Sequence, residues 1–171
     1  MPARRAPAGC RRPVLSTHPS SCLAGGLTIP VRIRRLVQSD YDALIDLFRV
    51  SGLEPRSKGR DRRTAIARQL RVRGNVYLGA FDGDQLVGAV LGTHDTRKGW
   101  INRLAVHPDY RRRGVASRLV RAAERGLREQ GMRMFAALIE PGNEASEAVF
   151  RALGYDVLPI LYARKKAYPE I

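Results

Sequence analysis

A run of arginines beside a glycine is the part of this sequence best suited to hold a charged ligand. Arg111–Arg113 are followed directly by Gly114 and by a segment with helical apolar spacing. The first turn of a helix offers backbone N–H groups without partners, and arginines add donors for anions. A glycine with small neighbours lets a phosphate approach the backbone. The segment therefore predicts a diphosphate-binding turn, formed by Arg111, Arg112, Arg113, Gly114, Val115, Ala116 and Ser117.

Two common phosphate-binding motifs are absent from this turn. No Gly-Lys-Ser/Thr follows the arginines, which excludes a Walker loop, and the fingerprint G-x-G-x-x-G is missing. The pattern present is Arg111-x-x-Gly114-x-Ala116 after the predicted strand end Leu104–Val106. It resembles the pyrophosphate-binding motif of the GNAT superfamily of acyl-CoA-dependent N-acyltransferases. On this pattern alone, a basic helix terminus that holds no ligand is an open alternative.

A second motif downstream favours the resemblance over that alternative. Asn143 begins a helical pattern that runs through Phe150 and ends at Gly154-Tyr155. This is similar to the superfamily's second signature, in which an Asn opens a helix that ends in Gly-Phe/Tyr. The two motifs have the usual separation, and the similarity covers about residues 31–165 in element order as well as in motif.

The resemblance implies a fold and a co-substrate. The strands that contain Trp100–Val106 and Met134–Ile139 are expected to splay apart in the centre of the sheet, with acetyl-CoA between them. Its pyrophosphate would lie on the turn, and backbone N–H would polarise the acyl carbonyl. The reaction implied is direct attack of an amine on the thioester. The cofactor-binding positions outside the turn are then Leu104, Ala105, Val106, Asn143 and Phe150.

The sequence departs from the family pattern where proton transfer is concerned. The position seven after Asn143 is commonly a Tyr that protonates the leaving thiolate, and here it is Phe150. Some relatives carry a Glu on the strand that here has Asn102 instead. We expect either Glu140, at a strand end, or a water held by Asn102 to accept the amine proton. A Glu140 that is merely solvated is the alternative.

Apolar periodicity predicts the elements that must position these residues. The expected fold class is α/β (α+β), a single GNAT-like domain with a mixed twisted sheet and helices on both faces. Ser39 is expected to cap the first helix and Asp61 the second, and Met134–Ile139 to be a strand buried on both faces. The predicted strands are Pro30–Leu36, Asn75–Phe81, Gln85–Thr93, Trp100–Val106, Met134–Ile139 and Tyr155–Ala163, and the predicted helices are about 40–50, 62–72, 114–130 and 144–153.

Composition limits the domain organisation and the classes of site that the chain can have. The chain has 171 residues, with 31 Lys and Arg against 16 Asp and Glu, a net charge of +15. We interpret residues 1–30 as a disordered basic Pro-rich tail or a start site placed too far upstream, and residues 31–171 as the domain. Both cysteines, Cys10 and Cys22, lie in that tail, so the domain has no Cys metal site or nucleophile. We expect a cytoplasmic protein without a metal and without a membrane span.

The distribution of charge bears on the acceptor. The resemblance implies that the first two helices and their loop shape the acceptor entrance, and that region, residues 49–73, carries nine Arg and Lys against Glu54 and Asp61. This predicts an amine acceptor that is acidic or presented near RNA, in preference to a polycation. The leading hypothesis is an acetyl-CoA-dependent N-acetyltransferase acting on a small molecule or protein, as a monomer or homodimer. The alternative is an acyl-CoA sensor or an RNA- or ribosome-docking module on the same fold.

Overall fold

A five-stranded mixed sheet organises the chain. The computed structural model describes residues 31–167, so the expectations for residues 1–30 lie outside the described part. The strands lie in chain order across the sheet, antiparallel from β1 to β4, and β5 is parallel to β4. The elements are β1 (Arg32–Arg35), α1 (Tyr41–Ser51), α2 (Arg63–Arg71), β2 (Val76–Asp82), β3 (Gln85–His94), β4 (Gly99–Val106), α3 (Val115–Arg128), β5 (Phe135–Ala137) and α4 (Glu144–Ala152).

Short turns join β2 to β3 and β3 to β4 and account for their antiparallel pairing, whereas β1 reaches β2 through α1 and α2. Gly83 has a φ of +56° in the two-residue turn between β2 and β3, a conformation that glycine adopts without steric cost. α3 instead carries the chain across the sheet from β4 to β5, and such a crossover permits parallel pairing. Both the hairpin and the crossover confirm the arrangement predicted from the sequence.

Helices cover both faces of the sheet, as predicted. α3 packs on one face with the apolar residues of β2 and β3 that point towards it, and α1 and α2 cover the opposite face. Alternation along β3 divides its side chains between the two cores. The α3 core includes Val87, Val90, Leu119, Val120 and Leu127, and the α1 core includes Leu44, Phe48, Ile66, Leu91 and Ala105.

Neither predicted helix cap forms. The Ser39 side chain does not cap α1; the Asp40 carboxylate instead accepts from the backbone N–H of Val37 at 2.8 Å and pairs with Arg34. Asp61 does not cap α2, because its side chain turns inward and is only 4% exposed. Both carboxylates accept from other donors: those of Asp40 are local, whereas Asp61 accepts from the nearby Arg56 N–H and from the distant Arg103.

Two apolar runs behave differently from the expectation. Only Phe135–Ala137 of the predicted strand Met134–Ile139 is β-structure, and it is half-buried, while Met134 and Leu138 are exposed. Tyr155–Ala163 contains no strand at all. Apolar character predicts burial but does not supply the neighbouring strand that β-structure needs, and among residues 31–167 no strand pairs with that segment.

None of the helices within residues 31–167 has the length and apolar character needed to cross a bilayer.

We predict that Gly88→Ala destabilises the fold, because α3 packs directly on that position. An added Cβ would lie 2.9 Å from Leu119 Cδ1 and 3.0 Å from Val115 Cγ1, both in the core. Overpacking of this kind costs about 1–3 kcal/mol of unfolding free energy. Urea unfolding of Gly74→Ala is the control, since the Cβ there would meet the end of the His94 side chain, which can move. Equal stability of the two variants would contradict the packing described.

Candidate functional site

β4 contains a bulge that displaces its second half. Leu91 of β3 pairs with Asn102 and Ala89 pairs with Ala105, so Arg103 and Leu104 together stand opposite one residue. Arg103 has a φ of +52°, the left-handed conformation that non-glycine residues rarely adopt. The bulge places Asn102 and Arg103 on the α1 side of the sheet, where Asn102 bonds Thr93 and Arg103 stacks on Phe48.

β4 and β5 separate next to this bulge. They pair only from Gly99 with Phe135 to Ile101 with Ala137, whereas β4 continues to Val106. The remaining edge of β4, which includes Leu104, Ala105 and Val106, has no strand partner on that side among residues 31–167. Backbone N–H and C=O groups along an unpaired edge are available to an extended ligand. The expected splaying of these two strands is therefore confirmed, but it occurs at the edge of the described sheet and not in its centre, because no strand forms beyond β5 within residues 31–167.

The predicted anion-binding turn follows the unpaired edge directly. Gly114 has a φ of +74° and immediately precedes α3, and a Cβ built on it would contact none of residues 31–167 within 4 Å. Arg112 also has a positive φ, 57°, so the chain curls before the helix starts. A cavity of about 740 Å³ lies against the turn, lined by Pro108, Asp109, Arg111, Arg112 and Arg113. The turn is thus open on the side where the helix begins.

The three arginines of the turn have different surroundings. The Arg111 guanidinium donates to the Ser51 carbonyl at 3.0 Å, which ties the turn to the end of α1. Arg113 stacks on the Tyr110 ring at 5.1 Å, and the Tyr110 hydroxyl donates to Asp82, a bond that raises the pKa of that tyrosine. All three arginines are exposed, whereas Val115 is buried and Ala116 and Ser117 are half-buried.

The second motif has a clear structural role. The Asn143 side chain accepts from the Ser146 N–H at 3.1 Å and so caps α4. Phe150 is 4% exposed and packs edge-on against Tyr155, with ring centroids 4.9 Å apart. The Tyr155 hydroxyl donates to Glu124 at 2.7 Å, and burial raises its pKa. Neither aromatic residue presents a free proton donor.

The two predicted proton acceptors lie on different elements. The Asn102 amide is half-buried immediately beyond the last β4–β5 pair and donates to Thr93 Oγ1 at 3.1 Å. Glu140 is exposed between β5 and α4, three residues beyond Ala137. Because β4 and β5 are parallel, Glu140 lies towards the same end of the sheet as the bulge. The turn and β4 thus lie on one side of the gap between β4 and β5, and Glu140 follows β5 on the other side.

A buried polar cluster beside the bulge was missed from the sequence. Arg103 Nη2 donates to Asp61 Oδ2 at 2.9 Å, and the same oxygen accepts from the Arg56 N–H at 2.8 Å. The Tyr77 hydroxyl and Arg103 Nε are buried nearby and have no hydrogen-bond partner among residues 31–167. Burial raises the pKa of Tyr77 and lowers that of Arg103, although Asp61 opposes the effect on Arg103. The sequence feature that could have indicated this cluster is Arg103, a charged residue within an otherwise apolar strand.

Comparison with known proteins gives consistent matches. The profile of the acetyltransferase (GNAT) family matches residues 41–155. An acetyltransferase of Pectobacterium atrosepticum is 29% identical over 137 residues, which are 80% of this chain and 95% of that protein.

Solved structures share the fold. The PaiA N-acetyltransferase of Thermoplasma acidophilum in complex with coenzyme A has a TM-score of 0.67 at 20% identity, covering 75% of this chain and 91% of that one. AAC(6′)-Iy in complex with the bisubstrate analogue CoA-S-monomethyl-acetylneamine has a TM-score of 0.67 at 21% identity, covering 80% and 99%.

We predict opposite effects for two Tyr→Phe substitutions. Tyr77→Phe removes a buried hydroxyl that lacks a partner and should stabilise the fold by about 1 kcal/mol, while Tyr155→Phe removes a bond to a carboxylate and should destabilise it by about 2 kcal/mol. Urea unfolding at pH 7 measures both. Loss of stability in Tyr77→Phe would show instead that its hydroxyl has a partner, such as a buried water.

Proposed function

The chain belongs to the acetyltransferase (GNAT) family, and on that premise we propose that it transfers an acetyl group from acetyl-CoA to a primary amine of a small molecule or protein. The observation that carries the proposal is the unpaired edge of β4 leading directly into the open turn at Gly114. The β4 edge can bind an extended amide chain, and the turn can bind phosphates. The two lie next to each other, as the acyl-pantetheine and the pyrophosphate do in acetyl-CoA.

The residues present fit acetyl-CoA chemically. The co-substrate supplies an activated acetyl group on sulfur. Backbone N–H groups of Arg112–Ser117 would hold the pyrophosphate at the start of α3, where the helix dipole favours an anion, while the Arg111 N–H donates to the Pro108 carbonyl. Exposed Arg112 and Arg113 add positive charge beside that start. Backbone of Leu104–Val106 would bond the pantetheine amides and polarise the acyl carbonyl. Asn143 and Phe150 support this site by capping and packing α4.

The proposed reaction is one direct displacement. The amine nitrogen bonds to the acetyl carbon, the carbon–sulfur bond breaks, the nitrogen loses a proton and the sulfur gains one. We propose that a water on Asn102, or the Glu140 carboxylate, accepts the amine proton. Phe150 donates none, and the Tyr155 hydroxyl is engaged with Glu124. The sulfur therefore takes its proton from solvent, which a leaving group as weakly basic as a thiolate tolerates.

We propose an acidic or RNA-associated acceptor. Lys58, Arg60 and Arg62 are exposed on the loop between α1 and α2. Of the two acids in residues 49–73, Asp61 is buried against Arg103, which leaves Glu54 exposed. A field of this sign attracts anions and repels polycations. The aminoglycoside-related ligand of the structurally similar AAC(6′)-Iy belongs to that protein, and it marks the acceptor class that our proposal disfavours.

We predict that Gly114→Asp weakens acetyl-CoA binding at least about tenfold, because a carboxylate would replace open space beside the phosphates. Gly131→Asp is the matched control: Gly131 also has a positive φ, 90°, follows the other end of the same helix, and has equally open space at its Cβ. Calorimetric Kd values for acetyl-CoA test the prediction. Equal loss of affinity in both variants would contradict a donor site at this turn.

We predict that thiol release from acetyl-CoA depends on acidic or RNA-bound amines and that the acceptor KM rises with salt, since exposed charges are screened over about 8–10 Å. The measurement is thiol release across a panel of acidic amino compounds, peptide N-termini, polyamines and an aminoglycoside at 50 and 300 mM salt. A polyamine or aminoglycoside as best acceptor would contradict the proposed class. Tight acetyl-CoA binding without release for any amine would favour the sensor or docking alternative.

A further inference from the structure

Two arginines fasten the loop between α1 and α2 at both of its ends. Arg111, in the turn after β4, donates to the Ser51 carbonyl at the start of the loop. Arg103, in the β4 bulge, pairs with Asp61 near the end of the loop. We refer to residues 52–62 as the acceptor loop. Both attachments therefore come from β4 and the turn that follows it, and β4 also carries the unpaired edge.

Asp61 is the centre of the second attachment. Its carboxylate accepts from the Arg56 N–H and from Arg103, and its backbone N–H donates to the Arg56 carbonyl at 3.0 Å. The Tyr41 hydroxyl of α1 donates to the Asp61 carbonyl at 3.0 Å. These bonds close the second half of the acceptor loop into a ring and fix it to both α1 and β4. The first half borders a cavity of about 420 Å³ lined by Arg49, Gly52, Glu54, Pro55 and Ser57.

The buried ion pair of Arg103 and Asp61 is costly in free energy to form. The Arg103 backbone has a left-handed φ, and the side chains of Arg103 and Asp61 are 16% and 4% exposed. Within the described part of the chain, Arg103 Nε and the neighbouring Tyr77 hydroxyl have no hydrogen-bond partner. Buried ion pairs with unsatisfied groups contribute little net stability compared with apolar residues of similar volume. Stability alone therefore does not account for this cluster.

We infer that Asp61 and Arg103 are positioning residues for the acceptor, an inference that rests on the proposed acetyl transfer. The pair holds the acceptor loop at a fixed distance from the bulge, so that an amine bound by the loop reaches the acyl group beside β4. Neither side chain touches the reacting atoms. Because misplacement of reactants by about 1 Å can cost up to a hundredfold in rate, such a fixed distance is of direct value to a two-substrate reaction.

The test uses full-length Asp61→Asn and Arg103→Lys, with Asp42→Asn as the control. Asp42 forms an exposed ion pair with Arg63 that also joins α1 to α2, without reaching β4. For Asp61→Asn we expect kcat/KM for the acceptor to fall about ten- to a hundredfold, with the Kd for acetyl-CoA changed less than about twofold. Arg103→Lys, which keeps the charge opposite Asp61, should retain part of the acceptor kcat/KM, and Asp42→Asn should match the wild type.

A second readout follows the loop itself. Lys58 and Arg60 are exposed within the acceptor loop and are cleavage sites for trypsin. Cleavage there should become faster in Asp61→Asn while cleavage in the wild type and in Asp42→Asn stays slow. If Asp61→Asn does not fold, the double variant Asp61→Asn/Arg103→Met removes the unpaired buried charge and is measured instead.

The outcomes separate this inference from the function on which it rests. Wild-type turnover with an unchanged acceptor kcat/KM in Asp61→Asn overturns the positioning role alone. A fall in acceptor kcat/KM matched by an equal loss of acetyl-CoA affinity also overturns it, because that result indicates general disruption of the site. Absence of thiol release by the wild type with every amine overturns the proposed function, and the positioning role falls with it.

Discussion

The bulge in β4 is the constraint on which the rest of the site depends. A strand that carries one extra residue bends and twists more strongly, and it cannot keep both neighbours in register. β4 keeps β3 as its partner as far as Val106 and parts from β5 after Ile101. The same distortion turns Arg103 towards α1 and Asp61. The open edge for the donor and the attachment of the acceptor loop are therefore two results of one irregularity.

Local sequence predicted the parts of the site that are built locally. Gly114 at the start of α3 and Asn143 at the start of α4 could be identified because a positive φ and a helix cap depend on a few neighbouring residues. Local sequence instead predicts Asp61 as a helix cap, since its side-chain partner Arg103 is 42 positions away in the chain. Tyr155–Ala163 has the composition of a strand, but strand formation depends on a neighbour that local sequence does not reveal.

Only part of the large positive charge of the chain is directed at solvent. Several arginines serve as hydrogen-bond donors and aromatic partners within the fold. Arg118 donates to the Val31 carbonyl, and Arg34 both pairs with Asp40 and stacks on Phe81. The guanidinium is suited to such roles because its planar face stacks while its edges donate. The cations that remain directed at solvent include those of the acceptor loop and the α3 stripe of Arg121 and Arg125.

The strands of the sheet differ in how many strand pairs hold them in place. β2, β3 and β4 are joined by short turns, so their pairing closes short loops, whereas β1 reaches β2 only through α1 and α2. β5 joins through three paired residues after the long crossover of α3. β5 is therefore held by fewer strand pairs than β1, which has four, and we expect its amides to exchange through local opening. Such an opening would widen the gap beside β4 while the hairpins of β2, β3 and β4 stay paired.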